Sequence, residues 1–225
     1  MMQIVNGINF HPGSRDRRTD LGNARGVLID VFNSMRAEIK DHYLGNAGPG
    51  DPETQFLFGG FSWRAQEFLI WTLHYDLAAD RFTFRPATAW AGQVAGEPRR
   101  KLIAWIGDEA AVHDAKKSLI SRLREAGKLD SGGFDMEPFE VLRDVIREGA
   151  FDSIGGAPQV AKVYRSLQTQ YFSVRWPDVE GSLHAVGRRA LSYEQFFLPE
   201  IDPDRPGVHS HTARVRNKGA GIDIE

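Results

Sequence analysis

Residues 152–164 read DSIGGAPQVAKVY and join a predicted helix to a predicted strand. Gly155 and Gly156 lack a Cβ atom, so the backbone can turn tightly there and a ligand or another backbone can come close. A second loop, with Gly107, Asp108 and Glu109, precedes another predicted helix. Two such turns at one edge of a layered domain predict a site at that edge.

The composition excludes several classes of protein. The chain has 225 residues, of which 41% are hydrophobic, 26% are charged and none is cysteine, so disulfides, thiolate nucleophiles and cysteine-based zinc sites are excluded. The net charge of -2 gives no overall attraction to nucleic acid or to an anionic membrane. No apolar run approaches the ~18 residues of a membrane span. We expect a cytoplasmic protein without nucleic-acid or membrane partners.

Four amphipathic helices are predicted from apolar residues at three- and four-residue steps. The first contains Ile4, Val5 and Ile8. Asp20 or Asn23 caps the second, whose stripe is formed by Val27, Leu28, Val31, Phe32, Met35 and Ile39. The stripe of the third, which ends at Gly127, is formed by Ala111, Ala115, Leu119 and Leu123, with Ile120 beside it. Asp135 is the predicted N-cap of the fourth and Gly149 its stop, with a stripe of Phe139, Leu142, Val145 and Ile146.

Short apolar or alternating runs predict the strands. Three consecutive antiparallel strands, with turns at 62–66 and 76–80, are predicted at 56–61, 68–73 and 81–84. Further strands are predicted at 102–106, 160–164 and 171–176. Residues 198–225 contain three prolines and many charges without an apolar period, and predict an extended or disordered tail. The fold class is therefore α+β, with one domain over 1–197 followed by this tail.

The order of these elements resembles the second part of a proteasome β-subunit, over roughly residues 3–176. The resemblance is carried by the hairpin of 56–61 and 68–75, the loop at 106–109 and the turn at 153–156. It implies an N-terminal-nucleophile (Ntn) hydrolase fold, a four-layer αββα sandwich. In that family a Thr, Ser or Cys at the mature N-terminus attacks the substrate, and its own amine serves as the base. Met1 to Phe10 correspond to the family's first helix, so the chain is expected to lack the leading strands and to be inactive as written.

The candidate site residues depart from the family pattern. The later turn usually reads Asp-x-x-Ser-Gly-Gly, but Phe151 and Ile154 take the Asp and Ser positions, and Asp152 and Ser153 are each displaced by one. These two residues either orient a substrate amide or cap the turn. Asp108 and Glu109 act either in acid–base or cation chemistry or as helix-capping groups. No complete catalytic set, metal site or cofactor site is identified.

Three hypotheses follow. The first is a protein of Ntn amidohydrolase or peptidase ancestry, with a peptide or amide substrate. The second is a non-catalytic assembly or binding subunit that forms homo-oligomers or joins related subunits. The third is a small-molecule enzyme that uses Asp108, Glu109 and Asp152.

Overall fold

The computed structural model describes residues 19–38, 54–89, 102–130, 133–166, 168–177, 182–191, 193–194, 198–206 and 209–210. The chain divides into two compact units. The first comprises Met1–His113, Gly127–Gly133 and Val163–Gln168, and the second comprises Asp114–Ala126, Phe134–Lys162 and Thr169–Glu225. Helices occur together with mainly antiparallel sheets, which confirms the α+β class. The helix predicted around Ile4, Val5 and Ile8 lies outside the described residues.

A three-stranded antiparallel meander forms the centre of the first unit. Helix α1 spans Leu21–Glu38, and the strands that follow are β1 (Phe56–Ser62), β2 (Glu67–Asp76) and β3 (Arg81–Pro86). Gln66 and Asp80 have positive φ of 56° and 50° at the ends of the two connecting turns. The three predicted strands are confirmed. Thr88–Ala89 (β4) and Leu102–Ile103 (β5) form a short ribbon, so the strand predicted at 102–106 is shorter than expected.

Helix α1 packs on one face of this sheet. Leu28, Trp71 and Leu73 are buried at the centre, and Phe32 packs against them. The buried stripe of the helix is narrower than the apolar periodicity of its sequence predicted. Val27 and Met35, which belong to the predicted stripe, are 46% and 53% exposed. The predicted stripe is therefore wrong at these two positions, while Ile39 lies outside the described residues.

The opposite face of the same sheet is also apolar. Paired residues share a face, and the pairs Leu57–Thr72, Gly59–Ile70 and Phe61–Phe68 lie on the side away from Trp71 and Leu73. Phe61 is only 7% exposed, whereas Leu57 and Phe68 are 41% and 39% exposed. Both faces of the meander therefore carry large apolar side chains.

Two helices precede the sheet of the second unit. Helix α2 (Glu109–Glu125) starts in the first unit and continues into the second. Its predicted stripe is confirmed, since buried positions are Ala111, Ala115, Leu119 and Leu123. Ile120, expected beside it, is 36% exposed.

Helix α3 (Glu137–Glu148) differs from the prediction at two places. Met136 is the N-cap, whereas the backbone N–H of Asp135 donates to the Glu137 carboxylate at 2.6 Å, so the predicted Asp135 cap is wrong. Val145 is buried and Phe139 and Ile146 pack against the core, as predicted, but Leu142 is 40% exposed and Val141 is buried in its place. Gly149 ends the helix with φ of 62°, as predicted.

In the described part of the chain, the sheet of the second unit has six strands. They are β6 (Val160–Val163), β7 (Thr169–Arg175), β8 (Leu183–Ala185), β9 (Arg188–Arg189), β10 (Glu200–Ile201) and β11 (His209–Ser210). Their order is β11-β10-β7-β8-β9, and β6 also pairs with β7. Strand β10 runs parallel to β7, whereas β8 is antiparallel to it.

The core of the second unit includes part of the predicted tail. Ile201 is 1% exposed and packs with Phe172, Val174 and Trp176. Residues 198–206 therefore belong to this unit. The sequence did not predict this, because a single buried isoleucine among prolines produces no hydrophobic periodicity. Apart from 209–210, the rest of 198–225 lies outside the described residues.

Candidate binding cleft at the Gly155–Gly156 turn

The turn after helix α3 places two glycines beside open space. The N–H of Ile154 donates to the carbonyl oxygen of Phe151 at 3.1 Å and closes the preceding turn. Gly156 has a φ of +77°, which L side chains rarely adopt, whereas Gly155 does not lie in this region. A Cβ atom built on either glycine meets nothing within 4 Å. The backbone conformation thus requires glycine at position 156 but not at position 155. Because neither residue has a side chain, a ligand can reach the backbone at both positions.

This turn lines a cleft of about 260 Å³ within the second unit. Residues 155–159 form one wall, residues 184–189 form the other, and Phe172 contributes from strand β7. The walls approach each other at Gly187, where a Cβ atom would lie 3.0 Å from Gln159 Nε2. Phe172 is 9% exposed and Pro158 is buried, so the cleft has an apolar part.

The second wall is a β-hairpin with a strained two-residue loop. Ala185 pairs with Arg188, and the residues between them, Val186 and Gly187, have φ of 51° and 81°. Positive φ at both central positions is the geometry of a type I′ turn, which normally takes Asn-Gly or Gly-Gly. A β-branched residue in this region is an outlier, and such strain clusters at functional sites. Val186 is 54% exposed and lines the cleft.

The hairpin wall is basic. It carries His184, Arg188 and Arg189, and no lining residue of the cleft is acidic. The Ser182 hydroxyl oxygen lies 3.0 Å from His184 Nε2 and helps to orient this ring.

Arg188 is held in place by Glu194. Its guanidinium donates to both carboxylate oxygens of Glu194 at 2.6 Å, and the N–H of Leu191 donates to the same carboxylate at 2.9 Å. These hydrogen bonds, that of Arg188 first, lower the pKa of Glu194 to about 2. The Glu194 carboxylate also raises the pKa of Arg188. The ion pair fixes the end of the hairpin wall.

Asp108 and Glu109 lie at the start of helix α2. Asp108 Oδ1 accepts the N–H groups of Ala110 at 2.9 Å and Ala111 at 3.2 Å, which is the geometry of an N-cap. Glu109 is exposed in the first turn, and Gly107 before it has a φ of 121°. The structure therefore places Asp108 in the helix-capping role that the sequence left open.

Asp152 and Ser153 are exposed in the turn after α3 and do not line the cleft, although they directly precede residues that do. The two predicted turns belong to different units of the chain. Sequence reasoning missed His184, Arg188 and Arg189. The available signal was Gly187 between the short runs 183–186 and 188–191, but Val-Gly lacks the Asn-Gly pattern typical of a hairpin.

Comparison of the chain with protein-family models, with curated proteins and with solved structures found no match. Within the described ranges, no three His, Asp or Glu side chains are placed to hold a metal ion. In that same part of the chain, no helix has the length and apolar content needed to cross a bilayer.

Proposed function

We propose that this chain is a binding subunit built on the four-layer architecture of proteasome β-like Ntn hydrolases. In this proposal the cleft between residues 155–159 and 184–189 binds a peptide or amide ligand without cleaving it. The observation that carries the proposal is the cleft itself, because an open glycine turn faces a basic hairpin across a concave space. Concave sites with an apolar part and a few polar groups are the usual location of ligand binding.

The four-layer architecture is supported by features within each unit. Antiparallel sheets with one solvated face alternate apolar and polar residues. The meander of the first unit instead has Trp71 and Leu73 under helix α1, and Phe61 and Ile70 on its other face. In the second unit, helix α3 covers the sheet face that carries Phe172 and Val174. Within the described residues, helix α1 packs on the Trp71 face of the meander, and a second apolar sheet face is a feature of layered sheet architectures.

The non-catalytic role is supported by the positions of the candidate groups. A general acid or base must lie within hydrogen-bond reach of the substrate atom that it serves. Asp108 is held by two backbone N–H groups at the start of a helix, while Asp152 and Ser153 do not line the cleft. These positions favour structural roles for the residues from which the sequence suggested catalysis.

A blocking substitution tests the binding role. Gly155→Leu adds a side chain beside the cleft without backbone strain, and Gly133→Leu is a matched control, because a Cβ atom at either glycine meets nothing within 4 Å and neither φ is positive. The probe is an equimolar pool of unmodified tripeptides, observed by saturation-transfer NMR. We expect binding to the wild type and to Gly133→Leu but not to Gly155→Leu, and intact peptides by mass spectrometry. Equal binding to all three proteins, or cleavage by the wild type, would contradict the proposal.

A second candidate function is assembly of identical subunits through helix α1. Val27 and Met35 are 46% and 53% exposed, and with Val31 they lie at four-residue steps on one helix face. Exposed apolar stripes of this kind mark subunit interfaces. Sedimentation equilibrium should give a mass above one chain, and Val27→Lys with Met35→Lys should reduce it to one chain. Asp30→Lys, at an exposed position of the same helix, is the control. A single-chain mass for the wild type excludes this assembly.

A further inference from the structure

We propose that Arg25 of helix α1 binds the carboxylate group of a small organic acid. The site lies in the first unit of the chain, so it does not depend on the cleft proposed in the second unit. The proposal comes from the surroundings of the Arg25 side chain, which combine two aromatic rings, partial burial and a positive charge without an acidic partner among the described residues.

The Arg25 guanidinium is enclosed by aromatic side chains from two strands. Its Cζ atom lies 3.6 Å from the centroid of the Phe84 ring on β3 and 4.8 Å from that of the Trp71 ring on β2. Both distances fall within the ~6 Å of a cation–π contact. Trp71 is 6% exposed and Phe84 is 37% exposed, so one ring belongs to the core and the other reaches the surface. The two rings hold the guanidinium at the edge of the core.

The positive charge of Arg25 has no carboxylate partner in the described part of the chain. Its Nε atom is buried without a hydrogen-bond partner, and no ion pair joins the side chain to a described residue. Desolvation by burial lowers the pKa of Arg25, whereas a neighbouring carboxylate would raise it. Charges that are withdrawn from water are usually paired in proteins. The position therefore suits an anion supplied by a ligand.

Arg36, further along the same helix, shows the same arrangement with its anion present. Its Cζ atom lies 4.8 Å from the centroid of the Tyr75 ring, and its Nη2 atom lies 3.7 Å from the Asp80 carboxylate. Arg25 repeats the aromatic contact of Arg36 but lacks a carboxylate among the residues that the structure describes. A ligand carboxylate would supply at Arg25 what Asp80 supplies at Arg36.

Open space beside Arg25 gives a ligand access to the guanidinium. The side chain is half-buried, and Nε is its only nitrogen that is both buried and unbonded, so the two Nη atoms remain accessible donors. Paired N–H donors of a guanidinium match a planar carboxylate. A Cβ atom built on Gly22 or Gly26 of the same helix meets nothing within 4 Å. Because the exposed part of the Phe84 ring offers an apolar contact nearby, benzoate is a suitable probe and benzamide is its neutral counterpart.

NMR titration of the ¹⁵N-labelled full chain tests the proposal. The Nε–H of Arg25 reports the contact in the wild type, and the indole N–H of Trp71 follows binding in every variant. At matched ionic strength we expect benzoate to bind about 10-fold or more tightly than benzamide, because only benzoate forms charge-assisted hydrogen bonds. Arg25→Gln should abolish this preference, and Arg25→Lys should retain part of it. Arg36→Gln is the matched control and should leave the preference unchanged, and the same spectra show whether each variant is folded.

A carboxylate placed within the chain gives a second test. Gly22 lies three residues before Arg25 on the helix, so a glutamate at position 22 can reach the guanidinium. Gly22→Glu should weaken benzoate binding about 10-fold or more, because the new side chain occupies the donors. Gly22→Gln has nearly the same shape without the charge, and it should bind benzoate about as well as the wild type.

Three outcomes overturn the proposal. The first is equal affinity for benzoate and benzamide, including the absence of binding by either probe at millimolar concentration. The second is a preference for benzoate that survives Arg25→Gln. The third is equal binding of benzoate by Gly22→Glu and Gly22→Gln.

Discussion

The Ser62 hydroxyl donates a hydrogen bond of 2.6 Å to the carboxylate of Asp20, 42 residues earlier in the chain. The other carboxylate oxygen accepts the backbone N–H of Trp63 at 3.2 Å. The Asp20 carbonyl oxygen also accepts the N–H groups of Asn23 and Ala24. One residue therefore fixes both the start of helix α1 and the end of strand β1.

Asp20→Ala should lower the free energy of unfolding by about 1–3 kcal/mol, because it removes the acceptor of the buried Ser62 hydroxyl and of the Trp63 N–H. Ser62 is 1% exposed, so water cannot easily replace the carboxylate. Urea unfolding followed by tryptophan fluorescence measures the loss. Asp30→Ala, at an exposed position of the same helix, should change stability little. Similar losses in both variants would contradict the structural role of Asp20.

Gly156→Ala should destabilise the protein by about 1–2 kcal/mol, because its φ of +77° is costly for a residue with a Cβ atom. Gly155→Ala should stay within about 0.5 kcal/mol of the wild type, since its backbone is unstrained and its surroundings are open. Thermal unfolding of the two variants compares neighbouring positions in one turn. The reverse order of stability would show that the turn has a different conformation.

Val186→Asn should stabilise the hairpin by about 1 kcal/mol, because asparagine tolerates the positive φ that strains valine. The substitution creates the Asn-Gly pair that type I′ turns prefer. Val163→Asn, at an exposed position of strand β6, should not stabilise the protein, since valine suits a strand better. Denaturant unfolding distinguishes the two, and a loss of stability in Val186→Asn would contradict the strain.

The pKa of Glu194, lowered to about 2, should return close to about 4.3 in Arg188→Gln, because the principal hydrogen-bond donor is lost. A carboxylate with a lowered pKa in the folded state stabilises the fold above its ordinary pKa. That contribution is lost as the pH falls from about 4.3 towards about 2. Carboxyl ¹³C NMR titration measures the midpoint, with Glu194→Gln identifying the resonance. A wild-type midpoint near 4.3 would contradict the ion pair.

Ile201→Ala should cost about 2–5 kcal/mol, the usual range for truncating a fully buried isoleucine. Ile201 is 1% exposed and packs against Phe172 and Val174, whereas Leu191 is 47% exposed. Leu191→Ala is therefore the matched control and should change stability little. Equal effects in thermal unfolding would mean that residues 198–206 do not contribute to the core.

Regular elements of this chain follow from local pattern. The stripe from Ala111 to Leu123 was visible because it repeats at the helical period, and the strand around Trp71 was visible as an apolar run between two turns. Neighbouring apolar residues are harder to rank, since Val141 and Leu142 differ by one step and packing against other parts of the chain decides which of them is buried. Which polar residue caps a helix also depends on distant parts of the chain. The Asp20 carboxylate accepts a hydrogen bond from Ser62 of strand β1 instead of from the N–H groups of its own helix.

The cleft could be predicted only in part. The sequence identified Gly155 and Gly156, because consecutive glycines indicate a turn without reference to the rest of the fold. His184 and Arg189 oppose that turn only through the β7–β8–β9 pairing, which joins residues about 30 positions away. Nothing in the local sequence around Arg189 indicates this neighbour.

The parallel pairing of β10 with β7 also constrains the order of folding. The meander β1–β2–β3 is joined by short turns, so its contacts can form as soon as Pro86 has been synthesised. Strand β7, in contrast, cannot form its pairing with β10 at Val174 until Ile201 has been synthesised. A nascent chain carrying everything up to strand β9 would still lack Ile201, which completes the core around Phe172 and Val174. Ribosome-bound intermediates of that length therefore have an incompletely packed core, which favours aggregation.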